Sequence, residues 1–491
     1  TMGTSRTVTP DGTSKLSVQE AIDQIGFGRF QVRIGVVIGL VYVCDAMEVM
    51  LLSFLGPAIR CESWGVSPQQ ESLLTTAVFI GMMIGAWVWG SVADRWGRKL
   101  AIYATSVWIG GAGLLSAASV NYSMLLFTRA AVGFALGGVP VSFSYFLEFV
   151  PAARRGVFGV ACQGLWTLGT FIEVVLGWSL LRSVGWQWLL FASSIPVLFL
   201  VPFFRHLPES PRYLLITGQK ARLSAALRQV AAANGRSLPS DDRLCLELDP
   251  GVGAAAEAEG SEAVAARASK PPSSLQVLRN LASPALRWNT ARLYTLWFTN
   301  AFAYYGLVLL TTELSVDTEG ESSELHCEGD GNSPLDDGDF VNIFVASIAE
   351  FPGLLLSSFV VDRIGRRHTQ AVQFAITSVA CFTLFVPSRA FRTVALFVAR
   401  AAIFGAFTVT YLYTPELYPT SFRATAFGLA NAFARIGGML SPFAGQDLVE
   451  EGQQRWSFVV FGTVALFASV AALKLTMETA GAALPDTMKD S

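Results

Sequence analysis

The sequence is short of charge, of histidine and of any cluster that could do chemistry. Charged residues make up 15% of its 491 residues against 52% hydrophobic ones, and the formal net charge is -2. That balance is too apolar for a soluble globule. Its long apolar runs lack two-residue alternation, which excludes a transmembrane barrel, and a lipid-embedded chain that is not a barrel must be helical. The three histidines, His206, His326 and His368, lie at or outside the expected helix ends. No nucleophile, metal-ligating cluster or cofactor loop stands out, and no nucleotide-binding or phosphorylation motif is present. An enzyme is therefore not expected, and neither is a catalytic residue, a cofactor, a metal or a nucleic-acid partner. No cleavable leader is expected either, because residues 1–30 are polar or at most amphipathic and the first apolar run serves as its own insertion signal. Thr1 precedes Met2, so the given start need not be the native one.

What the chain does have is twelve apolar stretches, each close to the roughly 20 residues that a 30 Å hydrocarbon layer needs. They are expected at 34–58, 72–93, 100–119, 124–147, 157–181, 186–204, 292–313, 339–361, 369–387, 393–414, 424–445 and 457–476, and are called spans 1 to 12. Arg95, Arg98, Lys99, Arg154, Arg155, Arg363, Arg366, Arg367 and Arg423 fall in short loops on one face. The opposite face carries an acidic loop with Asp317, Glu319, Glu321, Glu324, Glu328, Asp330, Asp336, Asp337 and Asp339. By the positive-inside rule both termini are cytoplasmic. The expected organisation is a cytoplasmic segment at 1–30, a six-helix bundle at 31–205, a linker at 206–291, a second six-helix bundle at 292–476 and a cytoplasmic tail at 477–491. Within the linker 218–235 is rich in helix formers and predicts a short surface helix, while 251–274 is low in complexity and cannot form a core. Cys44, Cys162 and Cys381 lie in spans and Cys245 in the linker. Cys61 and Cys327 both fall on the outer face, where spacing leaves their pairing open.

The two halves repeat. GSVADRWGRK supplies Asp94, Arg95, Gly97, Arg98 and Lys99, and SFVVDRIGRR supplies Asp362, Arg363, Gly365, Arg366 and Arg367. Further on, Glu148, Pro151 and Arg155 match Glu416, Pro419 and Arg423. All eight positions share one offset of 268 residues, which means a duplication in parallel orientation. Arg129 and Arg400 are 271 apart and match less strictly. A positive-inside anchor explains the Arg and Lys but not the recurring Asp and Gly. A gate explains both: an acid set at a neighbouring helix N-terminus, with Arg partners from other loops, makes contacts only when that side is closed. Glu148 with Arg155, and Glu416 with Arg423, are expected to complete the network. Ser358 stands where the first copy has Gly90, which puts tight packing there in question.

Charges inside a bilayer are costly, so each needs a partner, a watery cavity or a function. Asp45 and Glu48 lie one turn apart on span 1. Two carboxylates at that spacing do not both ionise easily in low dielectric, which suits a proton or cation subsite, with a structural pair as the alternative. Glu173 on span 5 shares a face with Trp166, Gly169, Thr170 and Gly177, and is either part of that site or a polar contact between packed helices. Arg129 is expected to hold span 4 near the span 1 carboxylates. Glu350 in span 8 carries no assignment. Arg435 lies deep in span 11 with Asn431 one turn before it, and its fixed fork suits either a substrate carboxylate or a structural ion pair. Asn300, Tyr304 and Tyr305 on span 7 and Phe407 and Tyr411 on span 10 can line a cavity or simply pack.

The duplicated loops resemble the signature of the major facilitator superfamily over both halves. LPESPRYLL after span 6 and METAG after span 12 are similar to the sugar and organic-ion transporters of that superfamily. DQIGFGRFQ, DAMEVMLLSFLGPA, AFAYYGLVLLTTEL, YTPELYPTSFRATAFG and ARIGGMLSP most resemble the plant organic cation/carnitine transporter 7 group, itself related to bacterial niacin transporters and to animal synaptic vesicle 2-related proteins. The resemblance implies the major facilitator fold: an all-α membrane protein with twelve transmembrane helices in two pseudo-symmetric six-helix bundles. It also implies a monomeric secondary carrier that moves a small organic ion by alternating access, with protons as candidate coupling ions. Organic cation carriers of the family tend to place an Asp where this chain has Arg435, and anion carriers an Arg. A carboxylate or zwitterion such as nicotinate, N-methylnicotinate or carnitine is therefore expected, held by Arg435 with Asn431, Asn300, Tyr304, Tyr305, Trp166 and Tyr411. Asp45, Glu48 and Glu173 would carry the coupling charge, and Asp94, Arg95, Arg98, Glu148, Arg155, Asp362, Arg363, Arg366, Glu416 and Arg423 the gate. The alternatives are an organic cation or sugar carrier, and a non-transporting vesicle protein or receptor, in a plasma membrane or an organelle or vesicle membrane.

Overall fold

Backbone amides in lipid must pair within their own segment, and the apolar runs satisfy this as helices. The computed structural model describes residues 18–151, 155–238, 274–316, 335–418, 423–450 and 452–479. Span 1 runs Arg29–Arg60, span 2 Pro68–Trp96, span 3 Arg98–Ala117, span 5 Arg155–Leu180 and span 6 Trp186–Phe204. Span 4 comes in two pieces, Tyr122–Leu136 and Val139–Leu147, broken at Gly137 and Gly138. In the second half span 7 is Arg287–Val316, span 9 Arg366–Thr383, span 10 Arg389–Leu417 and span 12 Gln454–Leu473. Span 8 breaks at Ala349 into Asp337–Ile348 and Glu350–Ile364, and span 11, Arg423–Pro442, continues into a π-type turn at Phe443–Asp447. Nine of these segments are long and apolar enough to cross a membrane, and spans 5, 9 and 11 complete the twelve.

Caps rather than hydropathy set the helix ends, so most spans outrun the apolar runs that predict them. Span 2 opens on a capping box in which the Ser67 hydroxyl accepts from the Gln70 amide and Gln70 reaches back to the Ser67 amide at 2.9 Å. Asn121 caps span 4, and Asp336 with Asp339 caps span 8. Spans 2 and 3 are joined by Gly97 alone, at φ 103° and ψ 153°, and spans 8 and 9 by Gly365 alone, at φ 87° and ψ 163°. That corner of backbone space is open essentially only to glycine, which is why the motif repeats it.

The duplication also appears in the packing. Spans 1 and 5, 2 and 4, 3 and 6, and 3 and 4 pack closely in the first half, and 7 and 11, 8 and 10, 9 and 12, and 9 and 10 do so in the second. The halves meet along span 2 against span 11 and span 5 against span 8. Without hydrophobic drive between helices in lipid, small residues let backbones approach. Gly85 lies against the Phe134 carbonyl and Gly353 against the Ala401 carbonyl, again 268 residues apart. Gly90 has open space around it, so Ser358 in the second copy stands where the first has no tight contact to lose.

Short helices at Val18–Ile25, Pro211–Ile216, Lys220–Ala233 and Ser274–Leu281 sit outside the spans. Val18–Ile25 buries Val18, Ala21, Ile22 and Ile25, more order than the polar N-terminal segment suggests. The expected linker helix is found at Lys220–Ala233. Asn234 behind it accepts from the Phe30 amide at 2.9 Å and donates to Gln31 at 2.8 Å, which pins the linker to the start of span 1. The low-complexity stretch lies outside the described residues.

Gly353→Val is expected to lower stability by about 1–3 kcal/mol, the usual cost of overpacking a tight contact, while Gly90→Ala changes it by less than about 0.5 kcal/mol. Thermal unfolding of the detergent-solubilised protein reads both.

Candidate functional site

On the motif face each copy builds the same network, and it includes one partner that the motifs do not contain. The Glu209 carboxylate accepts from the amides of Arg98 and Lys99 at 3.0 and 3.2 Å, and Glu478 accepts from Arg366 and Arg367 at 2.8 and 3.2 Å. Each carboxylate thus caps the positive end of a span. A side chain at Gly97 or Gly365 would collide with it, a second reason for those glycines. The next residue completes the link: the Ser210 hydroxyl donates to Glu148, and the Thr479 hydroxyl donates to Glu416 at 2.5 Å.

Here the expected pairings need correction. Glu148 pairs with Arg98 at 3.0 Å rather than with Arg155, and Glu416 with Arg366 at 3.1 Å rather than with Arg423. Arg155 and Arg423 instead donate to the carbonyls of Val150 and Tyr418 at 3.2 and 2.9 Å. Each guanidinium thus catches a carbonyl five residues before it, just beyond the end of the preceding helix. Asp94 is exposed, and Asp362 is exposed and pairs with Arg366 at 3.0 Å. Arg95 lies over the Trp96 ring and Arg363 is exposed. Burial pushes the Glu148 carboxyl above its ordinary range, against the pull of Arg98 and Ser210.

Deeper in the first half, Arg129 donates to Glu48 at 2.9 Å and to the Ser116 hydroxyl at 3.0 Å. Both oxygens of Glu173 lie within 2.9 Å of the Ser193 hydroxyl, and the Glu173 and Glu48 charges interact. In the second half Arg400 donates to Glu350 at 2.8 Å and to Ser347 at 3.2 Å. Tyr304 donates to the same Glu350 oxygen at 2.9 Å, and the Trp166 indole donates to Tyr304 at 2.9 Å, crossing from one half to the other.

Between the halves Arg435 approaches the Met82 sulfur of span 2 at 3.5 Å, with the charge of Arg435 acting on the Tyr305 hydroxyl. Asp45, Tyr42 and Tyr411 all sit close enough to interact with its charge. Arg435 Nε and Asp45 Oδ1 are buried without a hydrogen-bond partner. Asp45 and Glu48, neighbours on span 1, therefore serve different places: Glu48 faces inward to its own bundle and Asp45 faces the other. Trp166, Tyr304, Tyr305 and Tyr411 border this space. Asn300 does not reach it freely, because it donates to Thr410, which in turn donates to Gln370 inside the second bundle. Asn431 is half-buried on the Arg435 helix.

On the face opposite the motifs, side chains join the halves. Arg60 bridges Glu71 of span 2 and Glu313 of span 7, Gln446 donates to Glu71, Ser72 donates to Asp447, and Trp178 and Arg182 donate to Asp337. Cys61 beside them is disulfide-bonded, whereas Cys327 lies outside the described residues; Cys44, Cys162 and Cys381 are free. Sequence patterns missed Glu209, Glu478 and the whole Arg60 cluster, although PESP and METAG marked the first two.

Arg400→Met is expected to cost about 3–5 kcal/mol by stranding a buried Glu350. Arg400→Met with Glu350→Gln should recover more than half of that loss, because the stranded charge is gone while Tyr304 keeps an acceptor. Denaturant unfolding in detergent micelles measures both.

Comparison with known proteins places the chain. A family profile described as "Sugar (and other) transporter" matches residues 45–250, and one described as "Major Facilitator Superfamily" matches 337–489. The chain is 40% identical to an organic cation/carnitine transporter 7 of Arabidopsis thaliana, over 98% of each. It is 36% identical to a synaptic vesicle 2-related protein of Bos taurus, over 96% of this chain and 82% of that one. Among solved structures, the proton:xylose symporter XylE superposes with a TM-score of 0.68 at 17% identity, covering 92% of this chain and 97% of that one. A partially occluded inward-open form of the xylose transporter XylE from E. coli superposes with a TM-score of 0.67 at 15% identity, covering 91% and 98%. The chain belongs to the major facilitator superfamily, in the group that holds organic cation/carnitine transporter 7 and the synaptic vesicle 2-related proteins.

Proposed function

We propose that this major facilitator transporter carries a small carboxylate or zwitterion, of the nicotinate, N-methylnicotinate or carnitine kind, and couples the movement to protons. The observation that supports this most is the facing pair of Arg435 and Asp45, each with a buried polar atom unsatisfied, set between the two halves among tyrosines. A buried unsatisfied donor and acceptor cost free energy unless something binds there. Arg435 would take the carboxylate through its fork, Asp45 would face the cationic end, and Tyr305, Tyr411 and Trp166 would enclose the ring or methyl groups. Glu48 and Glu173 would be the proton-carrying pair, since Arg129 bonds Glu48 alone of the two while the nearby Glu173 is met only by the Ser193 hydroxyl. Rocking of the bundles would expose the site to one side at a time. The motif face is taken as cytoplasmic from its Arg and Lys, with both termini on that side, and the carrier as a monomer.

The test is uptake of labelled nicotinate and carnitine by proteoliposomes, with and without a pH gradient. A gradient should raise the rate. Arg435→Ala should lower it about 30-fold or more, because losing one partner of a buried charged contact costs about 2–5 kcal/mol. Undiminished transport by that variant removes the anchor, and indifference to the gradient removes the coupling. Saturable binding without flux would favour a non-transporting vesicle protein or receptor instead.

A further inference from the structure

On the face opposite the motifs, spans 7, 8 and 10 enclose a cavity of about 20 Å³ between Thr311, Asn342, Ala346, Arg389, Arg392 and Thr393. That is room for the centre of about one water-sized sphere, so for one water or one ion of similar size. Its polar lining is one-sided, because the carboxylate and amide acceptors beside it already meet donors. Asp339 accepts from Arg389 at 2.7 Å through one oxygen and from the Asp336 amide at 2.9 Å through the other. The Asn342 side-chain oxygen accepts from the Thr393 hydroxyl at 3.3 Å. Donors are left over. The Asn342 amide nitrogen has no partner among the described residues, and neither does the Arg392 guanidinium, which forms no ion pair there and whose Nε is buried unsatisfied. A guanidinium keeps its charge at any pH, so a half-buried one without a counter-ion attracts an anion. Span 10 adds to that field, since it begins at Arg389 and its Ser388 cap offers no side-chain hydrogen bond to the first amides. The fold itself does not demand a cation here. Asn121 stands 271 residues before Arg392, the spacing that relates Arg129 to Arg400, and Leu74 stands 268 before Asn342.

We propose that this cavity binds one small monovalent anion of about the size of chloride. Arg392 supplies the charge and the Asn342 amide a hydrogen bond, while Arg389 stays with Asp339 and contributes only to the local potential. A phosphate or a substrate carboxylate carries more atoms than the space admits. The bound anion ties span 7 to spans 8 and 10 in the turn that carries Glu313, which meets Arg60 of the first half at 2.7 Å. It therefore stabilises the folded second bundle where that bundle touches the first. The site does not depend on what the central cavity carries.

Thermal unfolding of the full chain in nanodiscs of zwitterionic lipid reads the site without any substrate, with chloride replaced stepwise by gluconate at constant ionic strength. The midpoint should rise by about 1–2 °C per tenfold increase in chloride once the site begins to fill, as for a ligand that binds the folded state alone. Arg392→Gln strands no partner, so it should fold and lose the chloride dependence. Arg392→Lys, which keeps the charge but not the fork, should retain part of it. Ala346→Leu fills the cavity without touching a charge and should abolish the dependence as well. Equal midpoints in chloride and gluconate overturn the proposal. So does a chloride dependence that survives in Arg392→Gln, which would place the ion elsewhere. Loss of the dependence when phosphatidylserine replaces the zwitterionic lipid would overturn it too, in favour of a lipid headgroup at these arginines.

Discussion

A guanidinium or carboxylate taken out of water costs several kcal/mol unless a partner of opposite charge and enough donors and acceptors meet it, and in a bilayer no solvent can make up a shortfall. Every buried charge in this chain has been placed under that constraint. Arg400 and Glu350 balance one for one, with Ser347 and Tyr304 as further partners, while Glu350 Oε2 and Arg400 Nε stay without one. Arg129 faces Glu48 with Glu173 nearby, and Arg60 faces Glu71 and Glu313. Arg435 and Asp45 differ in place: they lie between the two halves, each with an unsatisfied atom, where a ligand can supply what the protein withholds.

The same constraint explains where the two halves touch. Within each half, helices close on glycine contacts and on networks that end in their own bundle, such as Glu209 with span 3 and Glu478 with span 9. Between halves, polar contacts gather on the face opposite the motifs, and the Trp166 to Tyr304 bond continues them toward the middle. Among the described residues, the motif-face networks thus stay within their own bundles. Closing or opening there asks little of its own bonding, whereas opening the other face must break Arg60 from Glu313 and Gln446 from Glu71.

Much of this is legible in the residues alone, and the misses share a cause. Twelve spans, their duplication and the placement of Arg129 beside a span 1 carboxylate follow from hydropathy, one constant offset and the cost of a buried charge. Arg60, Glu71 and Glu313 all fall at or just past the expected ends of their spans, at 58, 72 and 313, where charges look like ordinary interfacial residues. The helices of spans 1, 2 and 7 run on to Arg60, Pro68 and Val316 and carry those charges into the protein. Glu209 and Glu478 were hidden differently. Their partners lie more than a hundred residues away in sequence, and the second copy keeps the acid and hydroxyl but loses the prolines beside them.

The one-residue joints at Gly97 and Gly365 bear on how such a chain can be altered. A connection with no spare residue transmits rotation of one helix directly to the next and leaves nowhere for an extra residue to go. An insertion after either glycine would turn the following helix by roughly 100° and withdraw its first amides from Glu209 or Glu478. Epitopes, fluorescent domains or length changes belong in the linker, while these two corners behave as welded seams.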